Sequence, residues 1–155
     1  MPTPLMKRLG NWLGTWRGPI DFADGRAGLI QFDLTSLFFG EAIQVEAVSF
    51  DAEGAILTRG WGFISLDRKG HVVNNCFGNA IGFAVLHETP DDEEVLSLTG
   101  QLAGNQTMDV TMNVEADVYS LSVRVYEGYH QSDDRPRTYT RMKRVGNAPA
   151  AGERP

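Results

Sequence analysis

From Trp16 to Arg144, apolar residues recur with a period of two and are interrupted only by short clusters of turn-forming residues. That pattern leaves few folds open. Trp16, Ile20 and Phe22 share one parity, as do Ile30, Phe32 and Leu34, and Met108, Val110, Met112 and Val114, so each segment reads as a strand with one wet and one buried face. The punctuation is Asp24-Gly25, Asp51 to Gly54, Asp67 to Gly70, Thr89 to Asp92, Gly104-Asn105, Ala116-Asp117 and Ser132 to Asp134. Between these signals lie about ten strands, near 15–22, 28–36, 39–50, 55–65, 71–77, 80–88, 94–103, 106–115, 117–129 and 137–144. The connections are too short for crossover helices, so sequential strands are antiparallel neighbours. Ten such strands in an open sheet would leave two edges exposed, whereas closure removes both. The expected fold is all-β: a single ten-stranded antiparallel up-and-down β-barrel with a short N-terminal helix.

Leu5, Leu9, Trp12 and Leu13 stand at helical spacing before Gly14 breaks the run, which predicts that helix and gives it an apolar face. At 155 residues and 42% hydrophobic composition the chain fits one domain with its own core. That domain is expected over 1–145. The segment 146–155, rich in Gly, Pro and Ala without an apolar period, is expected to be a disordered tail. The net charge of −6, with both signs interspersed, disfavours a grip on nucleic-acid phosphates. The single cysteine, Cys76, forms no internal disulfide and reads as a small buried hydrophobe. No run approaches a membrane span and no signal-peptide core opens the chain, so a cytoplasmic protein without a membrane partner is expected. Asn105-Gln106-Thr107 matches a glycosylation sequon but reads as a hairpin turn.

The opening stretch Leu9 to Gly18, "LGNWLGTWRG", places Gly14 and Trp16 two apart where the first strand begins, and the chain's last strand is the basic "RTYTRMKR". This order of elements resembles the calycin superfamily of lipocalin-like barrels. The resemblance implies a tryptophan packed at the closed end of the barrel against an arginine or lysine of the last strand; here the pair is Trp16 and Arg141. A guanidinium over the indole gains cation–π energy while its donors satisfy carbonyls of the N-terminal helix. Gly14 lets the chain turn tightly beneath the ring. With "DAEGAILTRGWGFISLDRKGHVV" and "GNAIGFAVLHE", the chain is most similar to the nitrobindin and fatty-acid-binding-like families of bacterial barrels. Fatty-acid-binding proteins insert two helices between their first two strands. This chain has only "ADGRAG" there, which brings it nearer to nitrobindin-like barrels.

Nitrobindins hold haem through a histidine early in the last strand, after a proline. The matching dipeptide here is Pro136-Arg137, and an arginine has no lone pair for iron. Haem is therefore not expected. His130 stands seven residues earlier, and His71 and His87 lack partners at metal-ligand spacing, so no metal is expected either. Arg137 and Tyr139 share the parity of Arg141, and the triplet resembles the Arg-x-Tyr pair with which fatty-acid-binding proteins hold a carboxylate. The alternative is that Tyr139 fills the core while Arg137 sits at the rim or pairs with Asp133 or Asp134.

Leu57, Arg59, Trp61 and Phe63 alternate on one face, as do Ile81, Phe83 and Val85, and Met108 and Met112 lie on the buried face of their strand. The ligand-contacting set is thus Arg137, Tyr139, Arg59, Trp61, Phe63, Phe83, Met108 and Met112. Core filling and solvent exposure remain open for Trp61 and Phe63. Arg124 falls opposite the apolar face formed by Tyr119, Leu121, Val123 and Val125, and is expected on the solvent side. No Gly-x-Ser-x-Gly, His-Glu-x-x-His or phosphate-binding loop is present. The expected function is binding of a small hydrophobic ligand, a carboxylate such as a fatty acid being the specific form; the alternatives are a barrel enzyme acting on a small hydrophobic metabolite through scattered side chains and a haem-binding nitrobindin-like protein.

Overall fold

The computed structural model describes residues 1–89, 95–128 and 137–147. The helix α1 (Pro4–Leu9) runs into a 3-10 turn (Gly10–Trp12), and ten strands follow: β1 (Gly14–Asp21), β2 (Ala27–Leu37), β3 (Ala42–Phe50), β4 (Ile56–Leu66), β5 (Val72–Gly78), β6 (Gly82–Glu88), β7 (Leu96–Leu102), β8 (Gln106–Glu115), β9 (Val118–Glu127) and β10 (Thr138–Gly146). Each strand pairs antiparallel with its neighbours in sequence, and β1 pairs with β10, so the sheet closes into a barrel. Gly146 still belongs to β10 rather than to a tail. The remaining residues assigned to the tail from 148 onward, like the acidic run Asp91 to Glu94, lie outside the described residues.

Local chemistry explains the short connections. In the β3–β4 hairpin Asp51 Oδ1 accepts from the backbone N–H groups of Glu53 and Ala55, both at 2.9 Å. In the β4–β5 hairpin Asp67 Oδ1 repeats the pattern with Lys69 at 2.8 Å and His71 at 3.0 Å. Each aspartate folds the turn around its own carboxylate. The glycine three residues later, Gly54 or Gly70, takes the left-handed conformation (φ 86° and 83°) that brings the chain back.

One end of the barrel is plugged. Thr3 caps α1 by accepting from Met6 N at 3.2 Å, with Pro4 in the first turn. Leu5, Leu9 and Trp12 then bury their side chains in the barrel end. Beneath them Trp16 is wholly buried and donates from Nε1 to Trp12 O at 2.9 Å. The Tyr119 ring meets Trp12, Trp16 and Phe32 edge-on, with centroids 5.3, 5.6 and 5.6 Å away. Such T-shaped contacts suit the opposed charge of ring faces and edges. Gly14, at φ 127°, makes the entry into β1.

The cation above Trp16 is Arg144, not Arg141. Trp16 and Arg144 are direct partners in the β1–β10 ladder, and the guanidinium carbon lies 4.2 Å from the indole centroid. Arg144 also donates to Leu13 O at 2.5 Å, to Asn11 O at 2.7 Å and to Asp117 Oδ1 at 3.1 Å. The expected role of the residue survives, and its position moves by three. The inward row of β10 is Thr138, Thr140, Met142 and Arg144, because Thr140 and Met142 are buried while Arg141 and Lys143 are exposed.

Candidate functional site

The other end of the barrel opens into a cavity of about 370 Å³. Its existence follows from a mismatch in side-chain size. On the β3–β5 wall the inward positions include Ala47, Gly60, Gly62, Cys76 and Gly78, which project little or nothing. The facing wall of β8 and β9 carries Met108, Val110, Met112, Leu121 and Val123, and Phe32 and Tyr119 form the floor. The large residues of one wall do not reach the small residues of the other. At the mouth stand Phe22, Arg26, Asn79, Ile81 and Thr138.

Among the described residues, the polar groups in the depth of the cavity are neutral. Ser49 Oγ and Thr58 Oγ1 are hydrogen-bonded to each other, and Ser49 Oγ also accepts from Thr58 N at 3.1 Å. The Tyr119 hydroxyl donates to Met112 Sδ at 3.1 Å, and burial holds its pKa far above the ordinary phenol range. Burial likewise pushes the Cys76 thiol up to about 11. Asn74 differs from these. It shares the inward parity of Val72 and Cys76, and its Oδ1 is fully buried without a hydrogen-bond partner. That oxygen lies 2.8 Å from where a Cβ on Gly62 would stand, so the glycine makes room for the amide.

The cations bordering the cavity are Arg26 and Arg59, among the described residues. Arg26 sits in the β1–β2 turn at the mouth, paired with Asp24 at 2.8 Å and lying 5.2 Å from the Phe22 ring centroid. Arg59 is exposed, and its backbone is held by Asn79 Oδ1 at 2.9 Å. Neither charge is carried into the depth of the barrel.

The residues expected to contact a ligand separate into two groups. Arg59, Trp61, Met108 and Met112 border the cavity. Phe63 and Phe83 do not, being 39% and 65% exposed. The inward row of β4 is Thr58, Gly60, Gly62 and Ile64, so alternation places Trp61 and Phe63 on the outer face. There the Trp61 ring stacks on Phe77, with centroids 5.4 Å apart, and Phe83 pairs with Phe77 from β6. Arg137 and Tyr139 are also turned outward, since Thr138 and Thr140 take the inward positions. The Arg137 guanidinium lies 5.0 Å from the Tyr139 ring centroid, a pair on the barrel's exterior rather than an anion site within it. Arg124 lies on the outer face opposite Asp109. Asp133, Asp134 and His130 lie outside the described residues.

His71 and His87 border a separate polar depression on the barrel's exterior, with Asp67 and Glu88. The carboxylates there are engaged: Asp67 with its turn, and Glu88 with Arg8 and with Val72 N at 2.7 Å. Among the described residues no three His, Cys, Asp or Glu side chains gather as metal ligands. No described helix is long and apolar enough to cross a membrane.

Sequence reasoning missed Asn74, and it read Gly60, Gly62, Gly78 and Gly82 as relief of bulk that lets a barrel strand bend, where the first three form the wall of a cavity. The row Val72, Asn74, Cys76 contained a readable signal, a polar amide on an otherwise apolar face. Gly60 and Gly62 gave no sign of which way they face, because a residue without a side chain carries no hydrophobic period.

No protein-family model matches the sequence, and no curated protein sequence matches it. Similar solved structures exist. Rv2717c from M. tuberculosis superposes with a TM-score of 0.72 at 15% identity, over 93% of this chain and 99% of the other. Fatty-acid-binding protein 1 of Echinococcus granulosus gives a TM-score of 0.46 at 12% identity, over 88% and 98%. The redesigned β-barrel mFAP0, bound to DFHBI, gives 0.46 at 11% identity, over 85% and 97%. With ten antiparallel strands closed in sequence order, the chain shares the up-and-down β-barrel fold of Rv2717c.

Proposed function

We propose that the barrel binds a small, predominantly apolar molecule in its interior. The observation that carries this reading is the cavity of about 370 Å³ between the small residues of β3–β5 and the methionines and branched side chains of β8–β9. A folded core without a binding role is normally filled, because an empty apolar space forfeits dispersion contacts and costs stability in proportion to its volume. Ligand sites in proteins fall in this size range and share this lining, mostly apolar with a few polar groups. The carboxylate form of the reading loses its residues, since Arg137 and Tyr139 point away from the cavity. The site works without haem on this reading: of the described histidines, His71 and His87 border the exterior depression.

Nile red titration is the direct test. The parent protein should bind the dye saturably at one site, with a blue-shifted emission. Ala47→Phe, which places a ring in the cavity, should weaken binding at least tenfold with the fold retained by circular dichroism. Unchanged binding in Ala47→Phe would move the site out of the barrel. Native mass spectrometry of protein purified from its own host would then give the mass of a retained ligand.

A further inference from the structure

We infer that the outer face of β4–β6 is an interface at which two copies of the chain meet across a two-fold axis. The inference stands apart from the interior-binding reading and needs no ligand.

The alternation that turns Gly60, Gly62 and Gly78 toward the cavity turns Trp61, Phe63 and Phe77 toward solvent. The ladders set these side chains in rows across three strands. Trp61, Phe77 and Phe83 form one row, and Phe63, Asn75 and Val85 form the next. Phe63, Phe77 and Phe83 are 39%, 42% and 65% exposed, and no charged residue stands among the six. A sheet with one face on a core normally turns polar residues to water. This barrel does so elsewhere: Arg17, Asp33, Asp109, Arg124 and Arg141 occupy the outer rows of their strands. On β4–β6 the pattern is inverted, with glycine inside and aromatic rings outside. The aromatic row also ends in the open. Among the described residues β6 and β7 pair only at His87 and Glu88, so no ladder partner on β7 flanks Phe83.

Contiguous apolar surface of this kind marks an association site. At roughly 200 Å² per ring, the three phenylalanines alone offer about 300 Å², and the half-buried Trp61 and Val85 enlarge the face. That falls short of the roughly 800 Å² per partner of a standard interface and fits a weak, reversible one.

The chemistry of the face selects its occupant. The chain carries a net charge of −6, so two copies repel in most orientations. An uncharged aromatic face is where they can approach without opposing like charges. An isologous contact needs a surface that suits itself, and aromatic rings pack favourably on aromatic rings. A lipid surface is a poorer fit. Trp61 is flanked by Arg59 on its own strand and by Glu46 on β3, charges of opposite sign, so the row lacks the basic surround that holds a protein on anionic lipid.

Sedimentation velocity over a concentration series tests the interface. The parent should pass from monomer to dimer between about 5 and 500 μM, as suits an interface at the small end of the specific range. Added salt should leave that midpoint unchanged or lower it, since screening acts only on the repulsion between copies. Phe83→Lys should raise the midpoint at least tenfold, with circular dichroism unchanged because the ring is largely exposed. It also brings the net charge nearer zero, so overall repulsion does not explain a loss of dimer. Phe39→Asn, in the exposed aromatic turn between β2 and β3, should leave the midpoint where it is. A parent that stays monomeric at the top of the range, a dimer weakened by salt, one that survives Phe83→Lys, or one abolished by Phe39→Asn would each overturn the inference. Flotation of a monomeric parent with phosphatidylcholine vesicles, lost in Phe83→Lys, would overturn it in favour of a lipid surface.

Discussion

Trp16 has no exposed surface, and its neighbours use its ring and its N–H: Tyr119 in an edge-on contact, Arg144 above the ring and Trp12 O at Nε1. Removing so large a buried aromatic leaves a cavity that the surrounding strands cannot collapse. Trp16→Ala should therefore cost about 3–5 kcal/mol in urea unfolding. Arg144→Ala should cost more than about 1 kcal/mol, since two helix-end carbonyls lose their donors, whereas Arg141→Ala, on the exposed row, should stay within about 0.5 kcal/mol. The sequence made Trp16 legible through its spacing from Gly14, but not which arginine met it. The last strand carries basic residues on both parities, Arg141 and Lys143 on one and Arg144 on the other, so charge alone could not set the register. Cys76 permits a second check at this scale. With its pKa pushed up to about 11, only about one thiol in a thousand is thiolate at pH 8. Labelling by a thiol reagent should be more than about a hundredfold slower than in urea, and slower again when Nile red occupies the cavity.

At the scale of elements, α1 is held to the barrel wall by an ion pair as well as by its apolar face. Arg8 donates to both oxygens of Glu88, and Glu88 Oε2 also accepts from Val72 N. The Arg8 hydrogen bond, with that of Val72, holds the Glu88 carboxyl below the ordinary glutamate range. A lowered folded-state pKa means that the charged form is the one stabilised by folding, so this contribution is complete above the unfolded value near 4.3. It is lost as pH falls through the lowered folded value. Glu88→Gln should accordingly be less stable than the parent by about 1 kcal/mol at neutral pH, a figure reduced because Arg8 is 41% exposed. Unfolding midpoints measured from pH 7 down to pH 3 should converge. The strands themselves were read within a few residues at nearly every end, because Asp and Gly mark the hairpins on local chemistry alone. Facing was harder. In β4 the inward row at mid-strand is Gly60 and Gly62, so the only readable period was that of Trp61 and Phe63, and its facing stayed open. Arg137 and Tyr139 followed Arg141 to the wrong side of β10, one parity choice carrying three residues with it.

The whole molecule was legible as a closed barrel because closure is the way a ten-stranded meander hides its edges, an argument that needs no contact to be known. Its cavity was not, since empty space is a difference between facing walls that are distant in sequence. A haem titration tests the molecule as a whole: the Soret band should show no saturable one-to-one complex. A stoichiometric complex abolished by His130→Ala would restore a haem-binding role. The clamp described at Arg144 has a further consequence, in the order of synthesis. Its bonds to Leu13 and Asn11 span 131 and 133 residues, and β1 finds its second partner only in β10. During translation the growing sheet therefore keeps two unpaired edges, together with the binding cavity's apolar lining, until the final strand leaves the ribosome. Contacts so remote are slow to form, and the nascent chain passes through its most aggregation-prone state just before β10 emerges. Expression of a chain ending before Thr138 should yield insoluble protein, with β1 and β9 left as open templates for one another in neighbouring molecules.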